Sequence, residues 1–206
     1  MNDILITKYR KTYDQVLRPI ALVLEGLIRE HLEGDKVARI DRITARAKHP
    51  QRFLAKAQKV DSQGYQRYKE PFIQIQDLIG ARVIVFYKND ISKAETSLKK
   101  YFRDIESQTI VPDSEMEFGY FGRHLIMVLP TDAIPRTIRR EDAPKFFELQ
   151  IKTLFQHAWS EAEHDLGYKF PEELSLDQKR KLAFTAAQAW GADEIFEELV
   201  AQLIHE

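Results

Sequence analysis

Phe147-Glu148-Leu149-Gln150-Ile151-Lys152-Thr153 alternates apolar and polar residues without a break and runs straight into Leu154-Phe155-Gln156-His157-Ala158-Trp159, with no glycine or proline between. Successive side chains of a strand point to opposite faces, so Phe147, Leu149 and Ile151 fill one face while Glu148, Gln150 and Lys152 project from the other. A chain with this stretch must build a sheet with one covered apolar face and one polar face. A half-buried antiparallel strand shows the same alternation for structural reasons alone. An acid, an amide and a cation in a row are also what holds a metal and an anionic substrate together, which raises phosphate chemistry as the first expectation.

The rest of the chain supplies partners for such a strand. Ala81-Arg82-Val83-Ile84-Val85-Phe86-Tyr87 is a branched apolar run of the kind found in buried central strands, with Asp77 and Gly80 at its mouth. Strands are predicted near 37–44, 104–111 and 123–129, and helices after Pro50, over 91–102, over 153–166 and from 175 to 204. Tyr9, Tyr13, Val16, Ile20, Leu24, Leu27 and Leu32 recur at helical intervals over 4–33, with Pro19 expected to kink or split the helix and Gly34 to stop it. This order describes mixed α and β elements without an internal repeat. The two amphipathic ends suit either the chain's own core or packing between copies in a homo-oligomer. Loops at 112–119 and 131–144 are expected to be the mobile parts. The second carries Arg136, Arg139 and Arg140, which read as a solvated basic loop or as a polyanion contact.

The 31 Lys and Arg against 32 Asp and Glu leave no global charge to argue for a nucleic-acid or membrane binder, so any steering must be local. The absence of cysteine excludes disulfides, thiolate nucleophiles and thiolate metal sites. No apolar run approaches membrane-spanning length and no signal-peptide core is visible, so the expectation is a cytoplasmic protein without a membrane partner.

Local charge is concentrated. Arg39, Arg42, Arg46, Lys48, Arg52, Lys56 and Lys59 are offset only by Asp41. Arg46 and Lys48, on alternate residues, can face one polyphosphate. Arg52, Lys56 and Lys59 at i, i+4 and i+7 extend that surface along the next helix, unless they form a solvated helix face. Asp77, five residues before Arg82, reads either as a turn residue or, with Glu148, as the protein share of a Mg²⁺ site. In Gly119-Tyr120-Phe121-Gly122-Arg123-His124, Tyr120 either stacks on a nucleobase or caps the core. His157, Glu161 and His164 share one helical face, but without a His-Glu-x-x-His pattern the stripe reads as a polar face rather than a zinc site.

In this order the segments resemble the synthetase domain of the RelA/SpoT family, specifically its small alarmone synthetases, over about 36–170. The blocks are Ile43-Thr44-Ala45-Arg46-Ala47-Lys48 through Lys56; Asp77-Leu78-Ile79-Gly80-Ala81-Arg82; Gly119-Tyr120 with His124; Glu148-Leu149-Gln150-Ile151-Lys152-Thr153; and His164 with Tyr168-Lys169. The resemblance implies an α+β, nucleotidyltransferase-like fold, a mixed sheet of about five strands flanked by helices. It implies a single synthetase domain over 1–206, with helical flanks at 4–33 and 175–204.

The implied activity moves pyrophosphate from ATP to the 3′-hydroxyl of GDP or GTP, with Mg²⁺ as cofactor. Carried over by position, Arg46 and Arg82 would sandwich the adenine, and Lys48, Lys56 and Lys59 would hold the ATP phosphates. Asp77 and Glu148 would bind the metal, with Glu148 also the base. Tyr120, His124, Gln150, Lys152 and His157 would form the acceptor pocket. The acceptor side departs from the family pattern: the acidic loop Pro112–Phe118 replaces a Lys-Pro-Asn type sequence, Gly122 stands in place of a serine, and Lys152-Thr153 replaces Arg-Thr. Arg52 likewise replaces a serine. The donor half matches the pattern and the acceptor half has drifted, which keeps tRNA 3′ ends and adenosine nucleotides as alternative acceptors, and a non-catalytic nucleotide-binding module as a third reading.

Overall fold

The computed structural model describes residues 2–36, 38–109, 119, 122–169 and 174–204. Five strands, β1 (Ile40–Ala47), β2 (Ile79–Val85), β3 (Asp104–Thr109), β4 (Arg123–Val128) and β5 (Phe146–Thr153), form one mixed sheet in the order β1-β2-β5-β4-β3. Only the β2–β5 pair is parallel. The helices are α1 (Asn2–Thr12), α2 (Arg18–Asp35), α3 (Pro50–Ala57), α4 (Pro71–Gln74), α5 (Lys88–Leu98), α6 (Leu154–Lys169) and α7 (Leu176–Ile204). The expected mixed α and β architecture is the one observed, with differences in detail that have physical causes.

The sheet's centre is β5, not the apolar run of β2. An interior strand flanked on both sides reads as apolar wherever it stands, so the composition of β2 reports burial rather than position. The apolar side of β5 behaves as its alternation requires: Phe147, Leu149 and Ile151 are fully buried in one cluster with Val83, Leu125, Met127 and the stripe Leu24, Ile28, Leu32 of α2. Each such side chain is worth roughly 1.5–3 kcal/mol on burial. β1 lies later than expected, so Arg46 falls inside the strand opposite Gly80. As an edge strand it is protected by α2: the Ala45 N–H donates to Glu25 Oε2 at 2.8 Å, and Arg29 donates to the Ile43 carbonyl at 3.3 Å.

Pro19 splits the N-terminal helix as anticipated, but the break falls just before it. Residues Tyr13–Leu17 form a π turn, in which the Arg18 N–H reaches back to the Tyr13 carbonyl. The wider turn absorbs the ring and missing N–H of the proline. Gly34 does not stop α2; Lys36, left-handed at φ 50°, does. The 131–144 segment is not an open loop: two single 3₁₀ turns, Thr131–Ala133 and Arg140–Asp142, organise it, and Leu129 N–H donates to the Lys145 carbonyl across its base. The loop Pro112–Phe118 and Tyr120 lie outside the described residues, as do the side chains of Tyr168 and Lys169.

No loop separates β5 from α6 because Thr153 serves both. Its Oγ1 accepts from the Gln156 N–H at 3.1 Å, while Gln156 Oε1 accepts from the Thr153 N–H at 3.0 Å, a reciprocal capping box. Thr153 Oγ1 also donates to Asp193 Oδ2 of α7 at 2.5 Å. The two flanks differ in burial. The stripe of α2 is in the core, whereas α7 leaves Phe184, Ile195, Leu199 and Leu203 exposed. Among the described residues no helix is long and apolar enough to cross a membrane.

Candidate active site

On the face opposite the core, sheet register lines up the polar side chains in rows. Arg46 of β1, Gly80 of β2 and Glu148 of β5 stand side by side, and the next row is Thr44, Arg82, Gln150 and His124. Gly80 has nothing within 4 Å of where a Cβ would stand, so the floor between Arg46 and Glu148 is open. Above these rows lies a cavity of about 470 Å³ whose walls include Arg46, Lys48, Asp77, Arg82, Glu148 and Gln150. Residues separated by up to about a hundred positions in sequence thus face one space.

A continuous polar chain crosses the site. His124 Nδ1 and Glu148 Oε1 are 3.3 Å apart, Gln150 Nε2 donates to Glu148 Oε2 at 2.9 Å, and Arg82 Nε donates to Gln150 Oε1 at 3.3 Å. Arg82 Nη1 continues the chain, donating to Glu161 Oε1 at 2.7 Å and lying 3.3 Å from His157 Nδ1, both on α6. The Gln150 amide therefore ties the carboxylate of Glu148 to the guanidinium of Arg82. Burial pushes the Glu148 carboxyl up, but the hydrogen bond and charge of His124, with the Gln150 amide, outweigh burial and the opposing charge of Asp77 and hold it below its usual range. It stays ionised, as a proton acceptor must.

Asp77, at the mouth of β2, holds two ammonium groups: Lys48 Nζ at 2.7 Å from Oδ2 and Lys56 Nζ at 3.0 Å from Oδ1. Burial opposes ionisation of Asp77, yet Lys48 and then Lys56 prevail and hold its carboxyl low. Oδ1 is buried and, beyond the Lys56 charge, receives no directed hydrogen bond. Mg²⁺ takes one or two protein carboxylates and completes its octahedron with phosphate and water oxygens. Asp77 and Glu148, two carboxylates lining the same cavity, fit that requirement once the lysines turn from Asp77 to phosphate. Among the described residues no group of three or more His, Asp or Glu could hold a metal by itself.

Arg46 has no ion pair among the described residues, and burial, followed by the charges of Arg82 and Arg52, lowers its pKa. Crowded guanidiniums of this kind are relieved by an anion or a stacking aromatic ring. Lys152 is placed differently from the expectation of an open polar face: it is 3% exposed, and its Nζ donates to Ser160 Oγ of α6 at 2.9 Å. Burial and then Arg82 bring its pKa down to about 8. His157 is kept toward the neutral form by burial and by Arg82.

The structure therefore gathers Arg46, Lys48, Lys56, Asp77, Arg82, His124, Glu148, Gln150 and His157 about one cleft. Lys59 falls past the end of α3, is exposed, and does not line it, because the helix stops at Ala57 and breaks the i+7 spacing. His164 is turned outward, with 70% of its side chain exposed. The stripe of α6 is more than a plain polar face: His157 and Glu161 both engage Arg82. Glu161 was legible only as the i+4 neighbour of His157. Tyr13, also in the cavity wall, had no signal, since its position depends on the π turn.

Comparison with known proteins finds relatives of the same fold. The GTP pyrophosphokinase YjbM of Bacillus subtilis (strain 168) is 24% identical over 204 residues, 97% of this chain and 90% of that protein. The crystal structure of smu.1046c from Streptococcus mutans UA159 superposes with a TM-score of 0.74 at 23% identity, covering 95% of this chain and 96% of that one. Small alarmone synthetase 1 from Bacillus subtilis, bound to its product pppGpp, superposes with a TM-score of 0.72 at 22% identity, covering 96% of this chain and 97% of that one. The family model described as the region found in RelA / SpoT proteins matches residues 45–173, more than half of the 206 residues and the whole stretch from Arg46 to His164, and the chain belongs to that family.

Proposed function

We propose that this chain is an ATP-dependent pyrophosphokinase that transfers the β,γ-pyrophosphate of ATP to the 3′-hydroxyl of GDP or GTP, making (p)ppGpp and AMP. The observation that carries the reading is the convergence of the two carboxylates, Asp77 and Glu148, with Arg46, which has no ion pair among the described residues, in one cleft. The relationship to a GTP pyrophosphokinase supports guanosine nucleotides as acceptors.

In this reading Arg46 and Arg82 take the adenine between their planar guanidinium groups. Lys48 and Lys56, which hold Asp77 in the protein alone, turn to the ATP phosphates when nucleotide enters. Mg²⁺, held by Asp77 and Glu148, would neutralise charge on the transferred group. Glu148, ionised and oriented by His124 and Gln150, accepts the proton of the 3′-hydroxyl as its oxygen attacks the β-phosphorus. The bond from that phosphorus to the α-phosphate oxygen breaks, and AMP leaves. Positioning and charge neutralisation do most of the work in such transfers. His157 and Tyr120 are assigned to the acceptor while Lys152 is buried against Ser160, the whole chain acts as one synthetase domain, and its nucleotide substrates fit a cytoplasmic location.

Neither alternative acceptor gains an observation in its favour. Arg139, in the segment read either as a solvated loop or as a polyanion contact, is engaged by Asp142 at 2.8 Å and Glu141 at 3.4 Å. Purified protein with Mg²⁺ and γ-labelled ATP, offered GDP, GTP, ADP or bulk tRNA in parallel, is expected to yield AMP and labelled guanosine tetra- or pentaphosphate. Absence of both products would refute the proposal, and label on ADP or tRNA would change the acceptor.

A further inference from the structure

Outside the residues that the family model matches, α1 contributes one fully buried polar side chain. Tyr9 stacks on Phe53 of α3 with ring centroids 3.7 Å apart and planes 5° apart, and Phe72 closes the same pocket at 5.8 Å. Its hydroxyl donates to the Lys48 carbonyl at 2.7 Å. The Lys48 N–H in turn donates to the Leu78 carbonyl, next to Asp77, at 2.8 Å. The backbone of Lys48 is thus held from both sides, by the mouth of β2 and by α1, at the root of the side chain that meets Asp77 at 2.7 Å. Phe53 lies between Arg52 and Lys56 in sequence, so the same stacked ring seats the helix that supplies the second ammonium to Asp77.

A phenylalanine would fill this aromatic pocket without a hydroxyl to desolvate, so packing alone does not account for a tyrosine. Burial, then the charge of Asp77, pushes the phenol well above its usual range, so the group is a donor at every working pH. Fixing a lysine at its root matters because its four-carbon stem is otherwise free to rotate, and a pre-set ammonium loses less freedom on meeting phosphate.

We infer that Tyr9 is a positioning residue for the donor-phosphate end of the cleft, acting through Lys48. The inference rests on ATP being the donor, and its test separates the two. Tyr9→Phe keeps the stack and removes only the hydroxyl. Calorimetry with a non-hydrolysable ATP analogue and Mg²⁺ is expected to show Kd raised roughly 3- to 10-fold in Tyr9→Phe, the worth of one hydrogen bond. KM for ATP should rise alongside while KM for the acceptor stays put. In a Lys48→Met background, Tyr9→Phe should add no further loss. In nucleotide-free protein, acylation of Lys48 by an amine reagent should quicken several-fold in Tyr9→Phe, with exposed Lys69 unchanged as control. Unchanged Kd and unchanged Lys48 labelling would overturn the inference, as would an equal loss with and without Lys48. Faster Lys48 labelling in a protein that binds no ATP analogue in any form would uphold the positioning and reject the donor reading.

Discussion

Lys152 lies across Gly122. The two are opposite one another where β4 begins and β5 ends, and a Cβ built on Gly122 would collide with Lys152 Cγ and with the Ile151 carbonyl oxygen. Two departures from the family pattern, glycine for serine and lysine for arginine, are therefore one local arrangement: the missing side chain makes the room through which the lysine stem passes to Ser160.

Gly122→Ser should consequently destabilise the fold. Its Cβ meets backbone, which cannot rotate away, and overpacking of this kind costs about 1–3 kcal/mol. For a chain of this size that corresponds to a fall in Tm of roughly 2–12 °C, readable by thermal denaturation. An unchanged Tm would mean that β4 can move off β5 at no cost.

The same lysine should imprint a pH dependence on stability. With a folded pKa of about 8 against the ordinary 10.5, Lys152 binds fewer protons folded than unfolded between those values. Stability therefore rises as pH climbs through that window, by at most ~3 kcal/mol, while below pH 8 the full cost of a buried ammonium is present. Arg82 adds to the cost, and Glu161, Glu148 and Glu163 offset part of it. Urea denaturation of wild type and Lys152→Met from pH 7 to 10 should show the rise only in the wild type.

Much of this was legible in the sequence because one rule, alternation on a strand, governs both packing and function in β5. Phe147 and Leu149 announced the core, and Glu148 and Gln150 the polar face. The rest depended on long-range geometry that local pattern does not carry. Lys152 obeys the same alternation, but α6 folds over it and turns an expected surface cation into a buried one. Lys59 failed for the opposite reason, since its i+7 spacing presumed a helix longer than α3. The roles of Glu161 and Tyr9 became visible only once α6 met Arg82 of β2 and α1 packed on Phe53 of α3.

Asp77→Asn should expose the dual role of that carboxylate. It leaves the Lys48 and Lys56 ammonium groups repelling each other and removes one of the two carboxylates proposed to hold the metal. Calorimetry should show that Mg²⁺ no longer strengthens ATP-analogue binding, with turnover reduced at least about 100-fold, in line with loss of a principal electrostatic contact. Because the folded pKa of Asp77 is lowered, the wild-type stabilisation is present above the ordinary carboxylate pKa and is lost as pH falls through the depressed one. The variant should lack that acid limb. Retained Mg²⁺ dependence would remove Asp77 from the metal site.

Glu148→Gln isolates proton transfer from shape. The amide is nearly isosteric and can keep one hydrogen bond to the Gln150 and His124 pair, so Tm should shift little and ATP-analogue binding should survive. A positioned base contributes about 10²–10⁴-fold, and kcat should fall by that amount while KM for ATP moves only modestly. The pH profile supplies the second check. His124 and Gln150 hold Glu148 below its ordinary range against the upward push of burial, so the acid limb of kcat belongs below the usual glutamate pKa rather than near neutrality. A wild-type limb near pH 6–7 that vanishes in Glu148→Gln would show that substrate binding desolvates this carboxylate. A variant retaining wild-type kcat would take the role of base away from Glu148 altogether.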